Sequence, residues 1–246
     1  MSLIDLNQVD LIFKVWRPKK IKDILIPGSR KFSGYGMDGT VHALKDITLR
    51  FQDGDRVAII GHNGAGKSSF LKMVAGIYPP ERGTIQVEGR ISSMFELATG
   101  FEMESSGWDN IYLRGLMLGE TPDRIKKKME EIAVFSELGD FLNMPVKYYS
   151  SGMFLRLAFS VSTAIEPDIL LLDEVVAAGD AGFIEKATKR MNSMVNSAKI
   201  LVYVTHSMPQ AVAMCNRCIW LERGCILMDG SPKEVTEAYM ASIKGQ

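Results

Sequence analysis

Apolar and polar positions along this chain shift between interleaved stretches, short unbroken apolar runs and helical spacing, and each shift predicts an element. Ile4 to Trp16 and Ala43 to Phe51 interleave apolar and polar side chains and predict strands. Val57-Ala58-Ile59-Ile60, Ile169 to Leu172 and Ile200 to Thr205 are near-continuous apolar runs, the pattern of strands buried on both faces. Helices are predicted at Ser69 to Val74, Met153 to Ala164 and Phe183 to Asn196, so strands alternate with helices and a parallel sheet covered on both sides is expected. Gly83 to Val87 and Ile91 to Phe95 predict two short strands. A helical region follows from about Asp109 to Met144, with Leu113, Leu116 and Met117 on one face, a helix start at Thr121-Pro122-Asp123 and a charged face from Lys126 to Glu131. A last helix is predicted from Pro232 to Lys244.

Between the first two strands lies a long connection containing Pro18, Pro27, Gly28, Gly34, Gly36 and Gly39. Within it Ile21, Ile24 and Leu25 have the spacing of a short amphipathic helix with its lysines outward. The segment from Lys14 to Lys31 holds seven basic residues against Asp23 alone, a local excess suited to anionic headgroups or an acidic partner. Over the whole chain 29 basic residues balance 29 acidic ones, so no global field draws it to nucleic acid, and no nucleic-acid partner is expected.

The 246 residues are 46% hydrophobic, enough for a substantial core and one large α/β domain spanning 1–246. The N-terminus has no basic segment ahead of an apolar core and no eighteen apolar residues run together, so neither secretion nor membrane spanning is expected. Cys215, Cys218 and Cys225 include one Cys-x-x-Cys without a second pair at metal spacing. They are read as buried reduced thiols where a helix end enters a strand.

The chemistry concentrates in Gly61-His62-Asn63-Gly64-Ala65-Gly66-Lys67-Ser68, between a buried strand and a helix. Its glycines let the backbone turn its N–H groups inward around phosphates, Lys67 can reach the β- and γ-phosphates, and Ser68 is placed to ligate Mg²⁺. Asp173 ends an apolar strand at the sheet edge beside that loop and is expected to hold Mg²⁺, with Glu174 next to it polarising the attacking water. His206, after the strand Leu201 to Thr205, can reach the γ-phosphate. Ser150-Ser151-Gly152 opens a helix, whose N–H groups and positive dipole end offer an anion site, and either serine can cap it.

In this order the motifs resemble the nucleotide-binding subunits of ATP-binding-cassette transporters over nearly the whole chain. Tyr149-Ser150-Ser151-Gly152-Met153 resembles the family's signature loop, Ala177-Ala178-Gly179-Asp180 its D-loop and Val204-Thr205-His206 its switch-histidine loop. The resemblance implies an α/β P-loop NTPase with an N-terminal antiparallel β subdomain and a helical subdomain at about 100–165. It also implies ATP and Mg²⁺ as cofactors, held by the phosphate loop through Ser69. Two copies would close head-to-tail, each loop facing the other's Ser150, Ser151 and Gly152, with Asp180 at the same junction. An aromatic at the end of the first strand would stack on adenine, and Phe13 and Trp16 both fit. Where most members carry a glutamine this chain reads Phe95-Glu96-Leu97, so Glu96 is the polar candidate for Mg²⁺ sensing.

Tyr-Ser-Ser-Gly-Met, the Glu96 segment, Asn110-Ile111-Tyr112-Leu113, Asp173-Glu174-Val175 with Gly179-Asp180, and the long loop from Arg17 to His42 are similar to one branch of the family. That branch exports lipid-linked polysaccharides such as O-antigen, capsule or teichoic acid. The resemblance implies a homodimeric ATPase on the cytoplasmic face of the inner membrane, beneath a polytopic permease that meets it around Glu96 to Asn110. Some members carry a C-terminal carbohydrate-binding domain, and none is expected within these 246 residues.

Overall fold

The computed structural model describes residues 1–14, 39–95, 97–173 and 181–244. The N-terminal layer is an antiparallel sheet in the order β2–β1–β4, from β1 (Leu3–Lys14), β2 (Thr40–Gln52) and β4 (Arg82–Glu88). Its inward side chains, including Ile4, Leu6, Leu44, Ile47 and Phe51, are fully buried against Phe70 and Leu71 of α1 (Lys67–Val74). Burying such aliphatic and aromatic side chains stabilises by about 1.5–3 kcal/mol each.

The second sheet has the order β5–β6–β7–β3–β8–β9, formed by β3 (Arg56–Ile60), β5 (Ile91–Ser93), β6 (Ile169–Asp173), β7 (Ile200–Val204), β8 (Arg217–Glu222) and β9 (Cys225–Gly230). Its strands run parallel from β5 through β8, as the apolar runs predict. The antiparallel β9, a hairpin partner of β8, makes the sheet mixed; its outward positions hold Leu227 as well as Asp229, so it lacks a clean apolar-in, polar-out alternation. Ile91 to Phe95 is a strand only to Ser93, with one further backbone bond from Met94 to Leu171 O.

The helical part contains α2 (Gly107–Met117), α3 (Pro122–Ser136) and α4 (Ser151–Thr163), with two short 3₁₀ turns between α3 and α4. Ser106 caps α2 in a capping box with Asp109, so the helix begins at Gly107, two residues before the expected start. Thr121 caps α3 with Pro122 at its first turn, as the sequence indicates. These elements enclose Ile111, Ile125, Ile132, Leu142, Leu157 and Val161. The chain then runs through α5 (Ala181–Ser197) and α6 (Met208–Met214) to α7 (Pro232–Lys244), which packs Val235 and Tyr239 on Ala58, Ile60 and Cys218.

All three cysteines are free, but only Cys218 is fully buried. Cys215 and Cys225 are half-buried because they sit at element ends. Burial pushes the Cys215 thiol up to about 11 and that of Cys218 up to about 12, which keeps both protonated and unreactive. Among the described residues no helix is long and apolar enough to cross a membrane. The amphipathic helix and, apart from Lys14, which pairs with Glu81 (3.0 Å), the basic excess expected from Lys14 to Lys31 lie outside the described residues.

Candidate functional site: a phosphate-binding loop at the sheet edge

Three strand ends converge. β7 lies between β3 and β6, with Val204 paired to Ile59 on one side and to Asp173 on the other. The loop after β3, the carboxylate ending β6 and the Thr205-His206 turn after β7 therefore share the C-terminal edge of the sheet, where α/β folds bind ligands.

The loop's shape follows from steric facts. Gly61 has φ 147°, and a Cβ there would stand 2.1 Å from Leu221 O. Gly66, at φ 109°, caps α1, and a Cβ there would stand 2.5 Å from Ala43 O. No side chain fits at either position, so the backbone is pressed between β2 and β8. Gly224 adds a second brace, donating to Ala65 O (2.8 Å) while accepting from Lys45 (2.8 Å).

Lys67 is 6% exposed and its ammonium donates to Gly61 O (2.7 Å) and His62 O (3.0 Å), which holds the cation inside the loop. Ser68 Oγ donates to Asp173 Oδ2 (2.9 Å), so two hard oxygen donors stand side by side, the chemistry Mg²⁺ takes together with phosphate oxygens and water. His62 is exposed; its Nε2 lies 2.8 Å from Glu222 Oε1 and its Nδ1 2.6 Å from Asn63 O. Glu222 had no signal in the sequence, because it is 160 residues from His62. Asn63, Gly64 and Ser69 complete the loop, with Asn63 and Gly64 exposed and Ser69 half-buried.

Thr205 is fully buried and its Oγ1 accepts from Ser207 N (3.0 Å), fixing the turn that leaves His206 exposed at the edge. Phe13, near the end of β1, pairs with Val41 and packs edge-on to Tyr78 (ring centroids 5.1 Å). It lies two residues beyond Leu11, whose partner Leu44 borders Gly66. Trp16, Glu96, Glu174 and Asp180 lie outside the described residues.

Ser150 stands apart from this edge. Its Oγ accepts from Met153 N (3.2 Å) and caps α4, leaving Ser151 as the first helical residue with Gly152 behind it. A cavity of about 510 Å³ opens there, bordered by Ser150, Ser151, Gly152 and Arg156. Among the described residues no hydrogen bond joins this helix start to the phosphate loop.

Fold and site together define an α/β nucleotide-binding ATPase of the P-loop type, with an antiparallel N-terminal sheet and a helical insertion. The model of the ABC transporter family matches residues 44–177, and the chain belongs to that family. It is 46% identical over 199 residues to an O-antigen export system ATP-binding protein of Yersinia enterocolitica, covering 81% of this chain and 83% of that protein. It is 42% identical over 203 residues to one of Myxococcus xanthus, 82% of this chain but 46% of that protein. Its fold matches a dimeric ATP-binding cassette solved with ADP and Pi, at TM-score 0.65 and 21% identity over 93% of this chain and 98% of that one.

Proposed function

We propose that this chain is the ATP-hydrolysing subunit of an exporter that moves lipid-linked polysaccharide, O-antigen in the first place, across the cytoplasmic membrane. The observation that carries this reading is the 46% identity to an O-antigen export ATP-binding protein over 83% of that protein's length. Two copies work head-to-tail on the cytoplasmic face of the membrane beneath a polytopic permease, which docks around Glu96 to Asn110.

In each half-site the phosphate-loop N–H groups and Lys67 hold the ATP phosphates, and Ser68 and Asp173 hold Mg²⁺, which offsets the phosphate charge. Glu174 accepts a proton from the attacking water as its oxygen bonds to the γ-phosphorus and the bond to ADP breaks. His206 contacts the γ-phosphate, Phe13 or Trp16 stacks on adenine, and Ser150, Ser151 and Gly152 of the second copy close over the γ-phosphate with Asp180 beside them. Sequestering the nucleotide between two copies makes closure depend on ATP and reopening on hydrolysis.

The test is Glu174→Gln as the sole copy in source cells. ATP binding should persist while hydrolysis falls at least ~100-fold, the range general-base removal produces, and lipid-linked glycan should accumulate inside as the surface polysaccharide disappears. Unchanged surface glycan without accumulation would remove polysaccharide as the cargo, and undiminished turnover would remove Glu174 as the base.

A further inference from the structure

The turn between β8 and β9 is a firm abutment for the phosphate loop. Glu222 pairs with Cys225 across it, and the two residues between, Arg223 at φ 48° and Gly224 at φ 82°, both have the positive φ of a tight two-residue hairpin. β2 backs the turn: Lys45 N donates to Gly224 O (2.8 Å), and a Cβ on Gly224 would stand 2.8 Å from Ala43 O. The turn therefore has no room to retreat toward β2. From it and the end of β8, three points reach the loop: Leu221 O stands against Gly61, the Glu222 carboxylate meets the His62 ring, and Gly224 N donates to Ala65 O (2.8 Å). Only the middle one is made by side chains.

The His62 ring is held at both nitrogens. Its Nε2 lies 2.8 Å from Glu222 Oε1 and its Nδ1 2.6 Å from Asn63 O. A carbonyl and a carboxylate oxygen both accept, whereas a neutral imidazole has one N–H, so making both contacts takes a hydrogen on each nitrogen. The Glu222 carboxylate balances that charge, and Arg223 Nε stands 3.8 Å from the same oxygen. What the ring secures is the resting place of Lys67. Its ammonium donates to Gly61 O (2.7 Å) and His62 O (3.0 Å), the carbonyls of the two peptides that flank the His62 Cα. A ring that cannot swing keeps both peptides, and with them the cation, in one place.

We infer that Glu222 is a positioning residue for nucleotide binding: through the His62 ring it fixes the two peptides whose carbonyls hold Lys67, and so sets the loop for the phosphates of ATP. The inference rests on ATP turnover at this loop and is independent of the cargo moved.

The test measures KM for ATP, kcat and the unfolding temperature of the purified chain as parent, Glu222→Gln, His62→Ala and the double variant. The His62 and Glu222 side chains are 47% and 25% exposed, so the fold should hardly depend on their pairing, and Glu222→Gln should unfold within about 2 °C of the parent. Its KM should rise about fivefold, the upper end of what a partly exposed charge pair carries, with kcat within about twofold. His62→Ala should raise KM as much, and the double variant should be no worse than either single one, because the two side chains act as one link. An unchanged KM for Glu222→Gln overturns the inference, and so does a lowered one, which would show that the carboxylate only repels phosphate. Rises that add in the double variant overturn it as well, since Glu222 would then act without His62. A joint fall of kcat and unfolding temperature in Glu222→Gln would make the residue structural and overturn its positioning role. If the parent itself turns over no ATP, the ATPase reading fails first and takes the inference with it.

Discussion

Two glycines of the phosphate loop illustrate how much a single Cβ decides. At Gly61 an added methyl collides with Leu221 O at 2.1 Å, a backbone atom of a central strand that cannot step aside. At Gly64 the backbone also has positive φ, 83°, but a Cβ there meets nothing within 4 Å. Gly64→Ala should therefore cost only the left-handed strain, about 1 kcal/mol, whereas Gly61→Ala adds a packing clash and should cost about 3 kcal/mol or more. Gly61→Ala should also abolish ATP binding, because Gly61 O is one of the two carbonyls that hold Lys67. Urea unfolding and nucleotide titration of the two variants check this; equal costs would show that the loop gives way at Leu221.

At the scale of elements, Asn110 does for the helical part what those glycines do for the loop. Fully buried, it accepts from Glu102 N (2.8 Å) and donates to Glu102 O (2.8 Å), Ser105 O (3.3 Å) and Ser106 O (2.9 Å). One amide thus fixes the segment between the sheet edge and α2. Asn110→Ala strands those backbone groups and should cost about 2–3 kcal/mol. Asn110→Asp should cost more at neutral pH, since a carboxylate would face three carbonyls; below its pKa the protonated acid can donate again and the gap to Ala should narrow. Denaturant midpoints at pH 7 and pH 4 measure both effects, and a gap that ignores pH would refute the assignment of donor and acceptor.

In the sequence this residue was visible only as part of Asn110-Ile111-Tyr112-Leu113. The strands beside the phosphate loop were legible because apolar runs follow local burial, and the cap at Thr121 because Thr-Pro-Asp is a local signal. The brace of Glu222 on His62 was not, because it joins residues 160 apart in the chain, and β9 was not, because its outward Leu227 blurs the alternation of a strand. The roles of Glu174, Glu96, Asp180 and Trp16 still rest on their motifs alone.

Across the whole molecule, one chain of charges ties the helical part to the main sheet. Glu120, between α2 and α3, meets Lys128 of α3 (3.2 Å) and Arg90 ahead of β5 (3.3 Å), and Lys128 also donates to Ala164 O at the end of α4 (3.0 Å). The backbone N–H of Arg90 donates in turn to Asp168 (2.9 Å), which pairs with Lys199 ahead of β7 (2.7 Å). Burial pushes the Glu120 carboxyl up, but the hydrogen bond and charge of Lys128, with Arg90 and Arg124, outweigh it and hold the group below its ordinary value. The Arg90 N–H and then Lys199 do the same for Asp168. A carboxyl depressed in the folded state contributes stability above its unfolded pKa, about 4, and that contribution is lost as pH falls through the lower folded value. Stability should thus be flat from about pH 7 to 5 on account of these groups and should drop below about pH 4. Glu120→Gln should cost roughly 2 kcal/mol at pH 7, less than a fully buried pair because both cations are about one-third exposed. Its cost should shrink in acid, where the parent has lost the same charge. Because the tie joins two parts, Glu120→Gln should also speed proteolysis within 107–163 before the sheet unfolds; a uniform loss of protection would mean that these charges stabilise the fold as a whole and do not hold the helical part to it.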